Sequence, residues 1–283
     1  MNIQWYPGHM TKTVRMMQDN IKLIDLIIEL TDARIPQSGR NPDIEKLGNG
    51  KARLLILSKA DLADERVNLL WQDYYKEKGL ETVVMDTRAR GMAKSIMPAV
   101  MRACSAKIER DKARGMKPRP IRAMVAGIPN VGKSTFINSF SGKSLAKTGN
   151  KPGVTRGKQW IRMNDKVELL DTPGLLWPKF EDERVGENIA LIGSINDLIL
   201  NEDELTLTLI ARLKQAYPGL LGDRFGIDEA LEGPALMEEV GKKRGCLKKG
   251  GEVDYSRVSS VMLEEFRSGK IGRISLERPE DMG

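Results

Sequence analysis

Cysteine and histidine are scarce in this chain: among 283 residues there are two cysteines, Cys104 and Cys246, and a single histidine, His9. The cysteines are far apart in sequence and have no histidine at ligand spacing, so a disulfide framework and a zinc site are both excluded, which fits a reducing, cytoplasmic setting. Long apolar runs are also missing. Met1–Thr13 carries no apolar stretch of signal-peptide type, and the longest run, near Leu23–Leu30, is broken by Asp25 and Glu29. These absences predict a soluble, untargeted protein without a membrane partner. At 31.6 kDa the chain is long enough for two domains with cores of their own.

Charge is present in excess and unevenly placed. The net charge is +7, yet residues 1–178 carry 31 Lys and Arg against 18 Asp and Glu, while residues 179–283 carry 15 against 21. A polyanion partner is therefore expected to meet the first part most strongly. A local exception is Lys242-Lys243-Arg244 with Lys248-Lys249, which reads either as a solvated helix end or as a narrow basic stripe.

The first part is organised around Ile121–Ser134, where an apolar run breaks into Gly127-Ile128-Pro129-Asn130-Val131-Gly132-Lys133-Ser134, or G-x-x-x-x-G-K-S. A buried strand ending at Gly127 turns through a loop whose backbone N–H groups face inward, and a helix beginning near Lys133 adds its positive dipole end. Such a loop cradles phosphates. In this pattern Lys133 reaches the β/γ-phosphates and the Ser134 hydroxyl reaches Mg²⁺, with Thr135 next on the helix.

Three other strand ends carry complementary chemistry. Arg53–Leu57 runs into Ser58-Lys59-Ala60-Asp61, where an Asp carboxylate can accept both the N1–H and the exocyclic amino group of guanine, a donor pair adenine does not offer. Lys59 would lie along the base plane. The strand near Glu81–Thr87 places Asp86 and Thr87 to support the same base. Beyond the cradle, Thr155 sits in a Gly- and Lys-rich loop suited to closing over Mg²⁺ and the γ-phosphate. A strand then ends in Asp171-Thr172-Pro173-Gly174, a D-x-x-G turn whose Asp reaches Mg²⁺ through water and whose Gly174 N–H meets the γ-phosphate. Together these are the parts of a GTP/GDP switch.

Their order is permuted: Asp61 and Asp86 precede the cradle, whereas in most GTPases the base-reading motif follows it. With its N-terminal Trp5-Tyr6-Pro7-Gly8-His9-Met10, its loop Thr31-Asp32-Ala33-Arg34-Ile35-Pro36 and its tail Gly269–Glu277, the chain closely resembles the YlqF/RbgA family of ribosome-biogenesis GTPases over essentially its whole length. The resemblance implies a GTP-hydrolysing factor in assembly of the large (50S) ribosomal subunit, with rRNA and ribosomal proteins, not DNA, as partners. Two rival functions stay open: a nucleotide-gated RNA-binding chaperone, and a permuted GTPase acting on the small subunit or on tRNA. The expected fold class is α/β, a circularly permuted P-loop GTPase domain over residues 1–178 with a mostly parallel sheet and helices on both faces. A small all-helical domain, a candidate RNA reader, is expected over residues 179–283.

Three positions depart from the usual pattern. Leu175 follows the D-x-x-G where many GTPases have the glutamine that orients water, so intrinsic hydrolysis is expected to be slow. The resemblance offers His9 as a substitute, against which stands a purely structural role. Asn130 either ligates K⁺ beside the phosphates or serves only loop geometry. Ser58 stands where Asn or Thr is usual, and its short side chain is expected to brace the cradle weakly. Thr11 or Thr13 is expected to cap the first helix, and Lys107–Arg122 to be a basic crossover link.

Overall fold

In this computed structural model the described residues are 3, 5–89, 91–142, 159–180 and 182–282. The predicted Thr155 and the loop 151–155 lie outside them.

Six strands form one sheet: β1 (Leu26–Asp32), β2 (Ala52–Ser58), β3 (Glu81–Val84), β4 (Ile121–Gly127), β5 (Gln159–Arg162) and β6 (Val167–Asp171). Their order across the sheet is β3-β2-β1-β4-β6-β5, parallel throughout except for β5, which pairs antiparallel with β6. β1 is buried along its whole length, as a central strand covered on both faces must be. The coverage is legible in β2. Its alternate residues Leu55 and Leu57 pack with Val67, Trp71 and Tyr75, whereas Leu54 and Ile56 join the main core with Ile96 and Val100. Successive side chains of a strand point to opposite faces, so the helices α3 (Glu65–Glu77) and α4 (Ala93–Ala103) cover opposite sides of the sheet.

The remaining helices of the first part are α1 (Gly8–Asn20), α2 (Pro42–Leu47), α5 (Ser105–Ala113) and α6 (Lys133–Ser141). α1 starts at Gly8 behind an extended Pro7, so neither Thr11 nor Thr13 caps it; the Thr13 hydroxyl instead donates to the His9 carbonyl at 3.2 Å. The basic link is half helix. Ser105–Ala113 has six of its nine residues drawn from Ala, Lys, Glu and Arg, all good helix formers, and the chain leaves helical geometry ahead of Pro118 and Pro120.

The second part is helical as expected: α7 (Glu183–Leu191), α8 (Glu202–Ala216), α9 (Leu220–Phe225), α10 (Gly233–Arg244) and α11 (Tyr255–Arg267). Leu205, Leu209, Ile210 and Leu213 of α8 are buried with Leu236 and Val240 of α10 and Val258, Met262 and Phe266 of α11. Its last segment does not stay with this bundle. Ile274 N–H donates to the Leu62 carbonyl at 2.9 Å, Leu276 N–H to the Arg34 carbonyl at 2.8 Å, and Trp71 Nε1–H to the Glu277 carbonyl at 3.1 Å. The tail thus returns to stitch the sheet domain. No helix among the described residues is long and apolar enough to cross a membrane.

Candidate nucleotide site

The site lies where ligands bind in open parallel sheets, beyond the carboxyl ends of the strands. β4 ends at Gly127, whose φ of 148° and closeness to the neighbouring strand both require glycine: a Cβ there would stand 2.4 Å from the Leu30 carbonyl oxygen. The loop turns again through Asn130 (φ 60°) and Gly132 (φ 93°) before α6 begins. Side chains with a short polar group tolerate the left-handed region best after glycine, which suits Asn130 to this turn. Lys133 folds over the loop, its buried ammonium donating to the carbonyls of Gly127 and Ile128 at 3.1 and 2.9 Å. Ser134 and Thr135 follow in the first turn of α6.

The base-reading loop leaves β2 beside the cradle. Ser58 is fully buried, and its hydroxyl lies 2.9 Å from the Thr31 carbonyl and 2.7 Å from that of Val131. Short as it is, this side chain reaches the cradle directly. Lys59 takes a left-handed conformation (φ 54°), and Ala60 and Asp61 follow in a single 3₁₀ turn. The Asp61 Oδ1 is buried without a hydrogen-bond partner, while Oδ2 accepts from Arg88 at 2.5 Å. Arg88 is in turn held by Asp86, at 3.0 Å, which lowers the Asp86 carboxyl although burial works the other way. Thr87 packs on the cradle, its hydroxyl 3.2 Å from where a Cβ on Gly132 would stand.

At the end of β6, Asp171 is buried and its Oδ1 also has no partner. Burial pushes its carboxyl up to about 6, with Lys133 pulling the other way; burial likewise pulls the Lys133 ammonium down to about 8, against the opposing charge of Asp171. Buried polar atoms are nearly always paired. Two carboxylate oxygens without a partner, one on the base side and one on the phosphate side, are thus free to accept from donors or to sit beside positive charge. Thr172 anchors the turn by donating to the Val125 carbonyl at 2.7 Å. Gly174 lies so close to the cradle that a Cβ would meet Pro129 Cα at 2.7 Å. Leu175 N–H then donates to Gly127 O at 3.1 Å, and the Leu175 side chain is buried in the core.

The structure thus brings together Ser58, Lys59, Ala60, Asp61, Asp86, Thr87, Asn130–Thr135, Asp171 and Gly174. His9 stands apart: it is exposed in the first turn of α1, and among the described residues its imidazole has no hydrogen-bond partner. Reading motifs alone misses the second part's contribution to this site. The Asn130 amide donates to the Gly193 carbonyl at 2.7 Å, and the Ser194 hydroxyl to the Pro129 carbonyl at 2.6 Å, so the loop after α7 is bonded to the cradle itself. It also misses Arg34 and Arg88, whose only sequence signal is an arginine two residues after an aspartate at or just past a strand end.

A parallel sheet that presents a glycine-turned cradle, a D-x-x-G pressed against it and a K-x-D beside it, with the K-x-D strand earlier in the chain, defines a circularly permuted GTP-binding GTPase. Residues 122–215 match the family described as 50S ribosome-binding GTPase. The chain is 45% identical over 283 residues to the Ribosome biogenesis GTPase A of Bacillus licheniformis, covering all of both chains. It is also similar to two solved structures of YlqF, one bound to GDP and one from Thermotoga maritima bound to GNP. Each has a TM-score of 0.67 at 26% identity, over 94% and 95% of this chain and 100% and 99% of theirs. The chain belongs to the YlqF/RbgA family of ribosome biogenesis GTPases.

Proposed function

We propose that this GTPase acts in the cytoplasm on the large ribosomal subunit: in its GTP form it binds a late pre-ribosomal particle through rRNA and ribosomal protein, and hydrolysis releases it. The observation that carries the reading is the direct bonding of Asn130 and Pro129 in the cradle to Gly193 and Ser194 in the helical part. A change at the γ-phosphate has only to shift the D-x-x-G turn against Pro129 to be felt by the loop that leads into α8. The match of residues 122–215 to a family described as 50S-binding favours the large subunit over the small one and over tRNA.

The residues present fit Mg²⁺. Asp171, buried with Oδ1 unpartnered, and Ser134 in the first turn of α6 offer oxygen donors of the kind this ion takes beside waters and phosphate oxygens. Ser134 would hold it directly, Asp171 through water and Thr155 from the loop; bound there, Mg²⁺ neutralises charge on the β/γ-phosphates. Asn130 is the candidate K⁺ ligand beside the phosphates, through its side-chain oxygen. With Leu175 buried, the group that orients water comes from elsewhere, and His9, on the exposed first turn of α1, fills that role when the ribosomal particle packs α1 against the site. Nucleotide-dependent association with purified ribosomal subunits tests the reading.

A further inference from the structure

A chain of polar contacts, buried at Asp32 and Arg34, runs from the base-reading loop towards the phosphate cradle by way of the helical part. It begins at Lys59, whose ammonium lies 3.1 Å from Asp32 Oδ2. Asp32 is wholly buried at the end of β1, and Arg34 grips it with a fork, Nε to Oδ1 at 2.9 Å and Nη2 to Oδ2 at 2.8 Å. Burial alone would raise this carboxyl, but the two cations hold it well below the usual carboxylate range.

Arg34 has a third attachment. Its Nη1 donates to the carbonyls of Phe266 and Arg267 at 3.3 and 3.4 Å, and its guanidinium lies 5.1 Å over the Phe266 ring. Those carbonyls are at the C-terminal end of α11, where backbone oxygens lack helical partners and the helix dipole favours a cation. Arg267 leaves the same helix end in the other direction. It donates to the carbonyls of Leu191 and Ala190 at 3.0 and 2.9 Å, closing the end of α7 in the same way, and pairs with Asp197 at 2.8 Å. It also presses on Gly193, where a Cβ would stand 3.2 Å from its Nε. Gly193 is the residue whose carbonyl accepts from Asn130.

We propose that the C-terminal end of α11 is a strut across the nucleotide site, with Arg34 and Arg267 as positioning residues that hold the base-reading loop and the phosphate cradle at a set separation. Neither belongs to the cradle or to the base-reading motif. A network that served only the fold would have no reason to end on Lys59, two residues before Asp61, at one side and on Asn130, in the cradle, at the other. Through this strut guanine nucleotide stiffens α11, and the docking of α11 sets nucleotide affinity. The inference rests on the guanine-nucleotide reading of the site and not on its ribosomal partner.

The test uses Arg34→Lys, which keeps a cation beside Asp32 but cannot span both Asp32 and the α11 carbonyls, because an ammonium is a point charge where guanidinium is a fork. GDP affinity is measured with a fluorescent GDP, together with hydrogen exchange of residues 264–268 with and without GDP. Affinity is expected to fall about tenfold, the order of one charge-assisted hydrogen bond lost from the strut, and by a similar factor for a non-hydrolysable GTP analogue, since both nucleotides span the base-reading loop and the cradle. GDP is expected to slow exchange at 264–268 in the unmodified protein and to lose that effect in the variant. Wild-type affinity in the variant, or equal GDP protection of α11 in both proteins, overturns the strut. Should Arg34→Lys not fold, Phe266→Leu removes the ring under the guanidinium without touching Asp32, and the same two results apply. Failure of the unmodified protein to bind GDP at all would instead overturn the nucleotide site itself.

Discussion

Asn41 and Leu175 are joined across the sheet: the Asn41 side-chain amide, itself buried, donates to the Leu175 carbonyl oxygen at 3.1 Å. With Leu175 N–H already on Gly127 O, the residue after the D-x-x-G is fixed at both backbone ends and its side chain is held in the core. Leu175→Gln therefore does not restore a water-positioning glutamine. It is expected to cost about 2–5 kcal/mol of stability, from lost apolar burial and an unpaired amide, with no gain in intrinsic GTP turnover. Denaturant unfolding and a phosphate-release assay check both halves. His9→Ala is the complementary change: stability stays within about 0.5 kcal/mol, as for an exposed side chain, while particle-stimulated turnover is lost.

Gly174 has no room for a methyl group. Gly174→Ala would drive a Cβ to 2.7 Å from Pro129 Cα, so the turn or the cradle must shift by several tenths of an ångström. GTP hydrolysis is expected to fall roughly 10²-fold, as for other small misplacements of reacting groups. Affinity for the GTP analogue should drop more than affinity for GDP, because only the γ-phosphate depends on this turn.

In the proposed function, guanine choice rests on Asp61. Replacing it by Asn turns one acceptor oxygen into a donor facing guanine's own donors. GDP affinity should fall roughly 10²–10⁴-fold, the loss of two charge-assisted hydrogen bonds. Xanthosine diphosphate, which offers a carbonyl where guanine has its amino group, should bind the Asp61→Asn protein better than GDP does. A competition titration reads the ratio.

Glu277 supplies the pH dependence. Its buried carboxylate accepts from Gln37 N–H at 2.8 Å, Ser38 N–H at 3.1 Å and the Asn188 amide at 2.9 Å, as well as from the Ser38 hydroxyl. Burial nevertheless outweighs these bonds and raises it above the ordinary 4.5. The folded state then holds this proton to higher pH than the unfolded state does, so the carboxyl's contribution to stability declines as pH rises from about 4.5 and levels off above its folded value. Glu277→Gln cannot titrate. The stability difference between wild type and Glu277→Gln should therefore shrink with rising pH over that window, as measured by urea unfolding at a series of pH values.

The parts legible in the sequence were those in which one short segment carries its whole signal. Ile121–Gly127 is an apolar run that stops at a glycine, so the strand, the cradle and the helix start at Lys133 follow from local chemistry alone. Asp61 and Asp171 are legible for the same reason, the one three residues past the end of a buried strand and the other closing one. The start of the first helix is not legible from its threonines, because Pro7 fixes an extended residue there and leaves Thr11 inside the first turns. The strut was not legible at all: Arg34 and Phe266 are 232 positions apart, and nothing local to either residue announces the other. The tail was opaque in the same way, since Glu277 is recognisable as a buried acceptor only once Ser38 and Asn188 surround it.

The central claim is that the nucleotide governs binding to the large subunit. Its most direct test is co-sedimentation of the full chain with purified large and small ribosomal subunits in the presence of GDP or a non-hydrolysable GTP analogue. The account predicts that the protein pellets with the large subunit in the GTP-analogue state and is released in GDP. Binding to the small subunit in preference, or equal binding to the large subunit with either nucleotide, would contradict it.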